Sequence, residues 1–382
     1  MILVLLVLLL ASPLAVFAGG QKDGAAPAAA EKPKVTLWTT GSDNVRQLFE
    51  QLVAEYNARP ESTSVVELQF LMSGSGDQRL SDRLAAAKLA GKTNTDFDLI
   101  AENGASLSEY VEKANGDIFV PLDFSKIPNY GNLKMKSGFY TEYVVPYRGT
   151  TVVMAYDSAR LPNPPRTFDA LTAWIKANPG RFAYNPPGTG GAGAAFVNLA
   201  LYKALPEEAK VSSDEKWVQQ WGPGWAWLES IHPFLYKSGG KVVYPNKNQG
   251  TLDLLINKEV DLIPAWADQV LTNISRGTLP ETTKIYQLTP ALSGTDVDLA
   301  VTNIGGGAEK CYDFINYMIS PAAQKLCLET IFAVPVIDAA LIDSNFKNMV
   351  ADLDVSGFSV ISQGKLSDTR NQTWDATIAR LP

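Results

Sequence analysis

The sequence predicts an α/β protein of two lobes, each a mainly parallel sheet flanked by helices, joined by extended crossover strands. Strand-like and helix-like stretches alternate along the N-terminal part, the pattern of a mainly parallel sheet. The run YVVPYRGTTVVMAYD, from Tyr143 to Asp157, is extended, rich in β-branched and aromatic residues and longer than an ordinary strand. It reads as a strand passing from one lobe to the next. A length of 382 residues also exceeds one ordinary domain and suggests two.

The chain opens MILVLLVLLLASPLAVFAGG, an apolar run too short for a comfortable membrane span and followed by small residues at Val16-Phe17-Ala18. Residues 1–18 read as a secretory signal cleaved after Ala18, although no Lys or Arg precedes the run. Residues 19–33 are small and polar and read as a flexible leader. Val35 to Trp38 is a β-like run ending in Thr39-Thr40-Gly41-Ser42, and Phe49, Leu52, Val53 and Tyr56 then recur at helical spacing. Val65 to Leu71 alternates as a strand and ends in Ser73-Gly74-Ser75-Gly76-Asp77. A helix from about Gln78 to Leu89 leads to the strand Phe97 to Ile100, which ends in Glu102-Asn103-Gly104. Three strands thus end in small polar loops, where open α/β sheets hold ligands.

Beyond the crossover, helices are expected at Phe168 to Lys176 and Leu252 to Ile256, with strands at Arg181 to Tyr184 and Val260 to Trp266. The Trp-rich stretch 217–236 reads as helix packing, and Asp298 to Ile304 as a return crossing. Helices follow at Glu309 to Ile319 and Pro321 to Leu328, with Ser320 as N-cap and Pro321 in the first turn.

The formal charge is -7 with no Lys/Arg run, which argues against nucleic acid and anionic membrane surfaces as partners. Cys311 and Cys327 lie on adjacent helical segments. Export makes a bridge between them possible, while buried free thiols are an equal alternative. With one histidine, His232, the chain offers little for a zinc site or a Cys-His catalytic pair, and no Asp-rich calcium loop is present. We expect no metal and no cofactor.

Gly188, Gly190 and Gly193 match G-x-G-x-x-G. A dinucleotide site would need an acidic residue ending the next strand about twenty residues on. Glu207 and Glu208 stand at that distance, but in a helix-like stretch. The glycines instead suit a helix start whose unpaired N–H groups meet a ligand oxygen, or a tight turn that touches none.

Four stretches resemble the extracellular solute-binding proteins of ABC importers: VTLWTTGSDNVRQLFEQLVAEYN, VVPYRGTTVVMAYDSARLPNPPRTFDAL, DLIPAWADQ and CYDFINYMISPAAQKL. The similarity is greatest to the type II group with polyamine-, thiamine-, iron- and sugar-binding members. The resemblance implies a type II periplasmic-binding-protein fold, with residues 34–146 and 298–335 as lobe 1 and residues 147–297 and 336–382 as lobe 2. It implies a periplasmic protein, a monomer and not an enzyme, that captures a small polar solute between its lobes. The closed form would be delivered to an ABC permease with its ATPase. An oxidoreductase or hydrolase on the same scaffold, and a solute-sensing adaptor for a chemoreceptor, are the alternatives.

We expect the cleft to draw on Trp38, Ser42, Ser75 and Asn103 from the first lobe, and on Tyr147 and Arg148 from the crossover. Thr189, Gly190, Trp266 and Asp268 are expected from the second lobe. The resemblance places Trp266 where polyamine-binding relatives keep a ligand-facing aromatic. Asp268 or Glu102 suits a cation and Arg148 an oxyanion, so the charge of the solute stays open.

Overall fold

The computed structural model describes residues 31–73, 78–346, 350, 353 and 359–382. The expected signal segment, most of the leader, and Ser75 therefore lie outside the described residues. Most helices and strands follow the hydrophobic periodicity, although the return crossing read at Asp298 to Ile304 lies earlier, at Gly294–Val301. They run β1 (Lys34–Gly41), α1 (Asp43–Ala58), β2 (Val65–Met72), α2 (Leu80–Leu89), β3 (Leu99–Asn103) and α3 (Leu107–Lys113). The crossing strand β4 (Val144–Asp157) is 14 residues long and buried throughout. Next come α4 (Phe168–Ala177), α5 (Gly191–Tyr202), the single turn α6 (Glu207–Lys210) and α7 (Gly222–Ile231). A small ribbon, β5 (Lys237–Ser238) with β6 (Lys241–Val242), precedes α8 (Lys247–Ile256). The chain continues through β7 (Leu262–Trp266), α9 (Ala267–Ser275), β8 (Thr283–Tyr286) and β9 (Gly294–Val301). It closes with α10 (Tyr312–Met318), α11 (Pro321–Ile331) and α12 (Leu366–Ala376). Among the described residues, no helix is long and apolar enough to cross a membrane.

The main sheet has the order β2-β1-β3-β9-β4-β7, with β8 also paired to β4. The ladders β1–β2 and β1–β3 are parallel. The ladders made by β4 and β9 are antiparallel, so the sheet is mixed where a mainly parallel one was expected. The reason lies in the crossings. A strand that leaves one half and another that returns must run in opposite directions. β4 divides its ladder accordingly: Val144 to Thr151 pair with β9, and Val152 to Asp157 with β7 and β8. The expected strand at Arg181 to Tyr184 is reduced to a single parallel bridge, Phe182 to Leu262.

Side chains on these strands alternate between faces, as period two demands. Val35, Leu37, Leu99 and Leu299 join one apolar cluster with α1, α10 and α11. Trp38, Ile100 and Ala300 point the other way and pack with Leu84 of α2 and Tyr110 of α3. A separate core forms where Val152, Met154 and Tyr156 of β4 meet α5 and α7, with Leu366 and Trp374 of α12 added. Val336, Ile337, Ile342 and Val350 belong to the first of these cores, and the last segment joins the core around α5, with Ile361 packed against it and Leu366 and Trp374 within it. Residues Pro33–Pro382 nevertheless form one compact unit.

Two details concern positions singled out from the sequence. Cys311 and Cys327 are free and buried, so the bridge considered above does not form. The Cys311 thiol points to the Gly307 carbonyl, and burial pushes both thiols up to about 12, which leaves them inert apolar fillers. His232 is packed, its Nδ1 2.8 Å from Tyr244 Oη and its Nε2 3.1 Å from the Pro382 carbonyl.

Candidate functional site

The strand ends and the crossing strand converge on two adjoining cavities. The larger, about 430 Å³, is lined on one side by Thr40, Ser73, Glu102 and Asn103 from the ends of β1, β2 and β3. On the other side stand Gly188 to Gly191 at the start of α5, and Ser367 and Arg370 of α12. The smaller, about 100 Å³, is lined by Ser42, Tyr147, Arg148, Trp266 and Asp268. Trp266, Glu102 and Asn103 face both.

Arg148 reaches this place through a local break in the ladder. Pro146 has no N–H to donate, and the register of β4 against β9 shifts between Pro146 and Arg148. Bulges of this kind re-aim side chains beside sites. The break is held from behind. Gln324, fully buried on α11, donates from Nε2 to the carbonyls of Tyr147 and Met318 at 2.7 and 2.9 Å and accepts the Val336 N–H at Oε1. This is the glutamine of the Ser-Pro-Ala-Ala-Gln stretch. Its N-cap is as expected, with Ser320 Oγ accepting from the Ala323 N–H.

The Arg148 guanidinium donates to Asp268 Oδ2 at 3.4 Å and to Tyr147 Oη at 3.2 Å. Both partners of the ion pair are 8% exposed. Asp268 Oδ1 also accepts its neighbour's amide, from Gln269, at 2.8 Å. Burial pushes the Asp268 carboxyl up while Arg148 holds it down, and burial lifts the Tyr147 phenol to about 12. The two charges that left the solute's sign open in the sequence therefore neutralise each other.

Glu102 differs. Its carboxylate accepts from the Asn103 N–H at 2.9 Å, Tyr110 Oη at 3.0 Å and Thr40 Oγ1 at 3.3 Å, all neutral donors. No Lys or Arg among the described residues lies within ion-pair distance of it, and burial raises its pKa.

The glycine-rich segment is explained by its own packing. A Cβ on Gly193 would lie 1.9 Å from the Asn185 carbonyl oxygen, one on Gly190 2.3 Å from Asn248 Oδ1, and one on Gly191 2.6 Å from the Trp266 ring. These close approaches require glycine. Glu207 and Glu208 lie on α6 and end no strand, so the dinucleotide pattern has no structural counterpart. Thr189 lines the large cavity, but its hydroxyl is engaged: it donates to the Pro186 carbonyl at 3.0 Å and accepts the Lys247 N–H at 3.2 Å.

Of the residues nominated from sequence, Ser42, Asn103, Tyr147, Arg148, Thr189, Gly190, Trp266 and Asp268 come together around the two cavities. Trp38 does not. Its ring packs on Phe97 with centroids 5.0 Å apart, its Nε1 donates to the Asp96 carbonyl at 2.9 Å, and it lies on the sheet face covered by α2 and α3. Sequence reasoning missed Gln363, Ser367, Arg370 and Asn371, which line the large cavity from the C-terminal segment. Nothing in their local pattern marks them; only tertiary placement brings them there.

The pattern of the family described as bacterial extracellular solute-binding protein matches residues 51–351, and the chain belongs to that family. It is 24% identical to Protein YnjB of Escherichia coli (strain K12) over 267 residues, 65% of this chain and 64% of that protein. It is 28% identical to the thiamine-binding periplasmic protein of Brucella abortus biovar 1 (strain 9-941) over 212 residues, 53% of this chain and 56% of that one. The chain thus spans less than two thirds of either curated relative. Its fold is also that of the spermidine/putrescine ABC transporter substrate-binding protein PotD of Streptococcus pneumoniae. The TM-score is 0.63 at 15% identity, covering 90% of this chain and 98% of that one.

Proposed function

We propose that the protein is the exported, periplasmic binding component of an ABC uptake system, with the signal removed after Ala18. It closes its two lobes on a small polar solute and delivers it unaltered, as a monomer, to a permease and its ATPase. Closure would be a hinge motion at β4 and β9, and the solute must favour the closed state for the equilibrium to move. The solute carries a cationic group, held at Glu102 beside the face of Trp266. Ser42, Asn103, Tyr147 and Gly190 complete the contact, while Arg148 and Asp268 act as a neutral, fixed wall. One observation carries this reading: Glu102 presents a carboxylate to both cavities without a positive partner among the described residues. Thiamine and spermidine, bound by relatives according to their names, are suitable first probes. A saturating cation should raise the melting midpoint of the wild type by mass action and leave Glu102→Gln unmoved. Equal responses in both proteins would remove Glu102 from the site. Absence of any response to polyamines and thiamine, with no small molecule seen by native mass spectrometry, would overturn the cation reading.

A further inference from the structure

Beside Glu102, the large cavity holds a second charge without an opposite partner. Arg370, on the first half of α12, is 5% exposed. Its Nη1 donates to Asn198 Oδ1 at 2.9 Å, and its Nε and Nη2 donate to Asn371 Oδ1 at 3.0 and 2.8 Å. These acceptors are amide oxygens, which orient a guanidinium without cancelling its charge. The carboxylates nearby are committed elsewhere. Glu109 sits 2.7 Å from Lys113 and 3.3 Å from Arg79, and Asp368 sits 2.6 Å from Arg79 and 3.7 Å from Lys113. No described carboxylate reaches Arg370 within 4.0 Å. Burial pulls its pKa down to about 10, with Arg79 adding to the fall and the more distant Glu109 and Asp368 opposing it.

A second buried polar side chain lines the same cavity. Gln363 is 6% exposed and lines the same cavity, and its Oε1 has no partner. A buried amide oxygen left unpaired costs free energy unless something arrives to meet the group. The other end of the same amide carries two N–H donors. Arg370 and Gln363 both lie past residue 351, where the match to the family pattern ends.

We propose that Arg370 and Gln363 form an oxyanion subsite in the large cavity, so that the solute is dipolar, with a carboxylate or phosphate ester at Arg370 and its cationic group at Glu102. The part of this statement that concerns the cation rests on the function proposed above; the part that concerns the anion does not. Two N–H groups of the guanidinium remain after the three amide bonds, which matches the fork that a planar oxyanion accepts. A solute that supplies both charges restores neutrality to each pole of the cavity.

Putrescine and 4-aminobutyrate test the idea, because they share a four-carbon chain and differ in one end, ammonium or carboxylate. Thiamine and thiamine monophosphate form a second pair that tests a phosphate ester. Calorimetric titration of the intact protein should show tighter binding of the oxyanion-bearing member of at least one pair. Arg370→Gln should erase that preference, a loss of roughly 10- to 100-fold. Inorganic phosphate serves as a probe independent of the cation site. At constant ionic strength set with chloride, it should raise the melting midpoint of the wild type and of Glu102→Gln, but not of Arg370→Gln. Arg370→Lys and Gln363→Leu guard against a folding defect: each should keep a wild-type midpoint in chloride and weaken the phosphate response. A phosphate response equal in wild type and Arg370→Gln, or none in the wild type, overturns the oxyanion subsite and leaves the cation reading at Glu102 standing. A phosphate response lost only in the Arg370 and Gln363 variants, together with indifference to Glu102→Gln in every cation titration, supports the subsite and removes the cation reading.

Discussion

The two cavities are built from similar residue types but treat charge differently. In the smaller one, Arg148 and Asp268 are both buried and meet at 3.4 Å, so the wall is polar but neutral. In the larger one, Arg370, and Glu102 where the two cavities adjoin, are surrounded by neutral donors or acceptors and have no opposite charge within ion-pair distance among the described residues. The lesson is that a charged residue facing a cleft says little about its ligand until its own partner is known. Arg148 and Asp268, each attractive alone, serve structure together. Glu102, flanked by Thr40 and Tyr110, keeps its charge for something else.

The contrast can be broken most severely at Asp268. Asp268→Ala leaves Arg148 buried and uncompensated, and stability should fall by about 3–5 kcal/mol in chemical denaturation, as when one partner of a buried pair is removed. A loss under 1 kcal/mol would mean that Arg148 is solvated and free to meet a solute. Next in size is Gln324→Ala, which strips three buried hydrogen bonds from the back of the β4 bulge and should cost about 2–3 kcal/mol. Solute affinity should drop along with it, because Arg148 and Tyr147 lose their fixed geometry; unchanged affinity would separate the bulge from the site.

Glu102→Gln should behave in the opposite sense to Asp268→Ala. Burial raises the native pKa of Glu102 above its unfolded value, so the folded chain holds this proton more tightly. Its contribution to stability therefore declines as pH rises from the ordinary carboxylate range through the raised native value. The glutamine variant removes that decline, so its stability relative to wild type should improve toward neutral pH. Cation affinity of the wild type should weaken as pH falls through the raised value, and the variant's should stay flat. A wild-type affinity independent of pH across the acid range would speak against an ionised Glu102 as the contact. The smallest effect is expected from Trp38→Phe: about 1 kcal/mol of stability for the lost indole hydrogen bond, with no change in solute affinity. A clear change in affinity would return Trp38 to the cleft.

Much of this was legible before any coordinates. Helical spacing located α1, and the extended run ending at Asp157 located β4, because local periodicity reports which face is buried. Polar strand ends at Ser42 and Asn103 pointed to the cleft for a topological reason that needs no tertiary detail. What stayed hidden depended on distant parts of the chain. Arg148 and Asp268 are 120 positions apart, and Arg370 and Asn198 are 172 apart, so neither pairing leaves a local trace. Trp38 was misplaced because an aromatic near a strand end can face either layer. Only the register, with Leu37 paired to Leu99 and Trp38 to Ile100, decides which. Arg181 to Tyr184 has the composition of a strand yet makes one bridge only, to Leu262 on β7, and local composition does not foretell how far a ladder extends.

The strand β4 has a mechanical consequence. One continuous backbone supplies ladder partners to β9 along its first half and to β7 and β8 along its second. The two sides are thus stitched by a shared seam as well as by loops. Fraying on one side strips hydrogen bonds from the edge of the other, so thermal denaturation should proceed as a single cooperative event. The seam changes partners between Thr151 and Val152, so bending between the sides is expected to fall on those few peptide units.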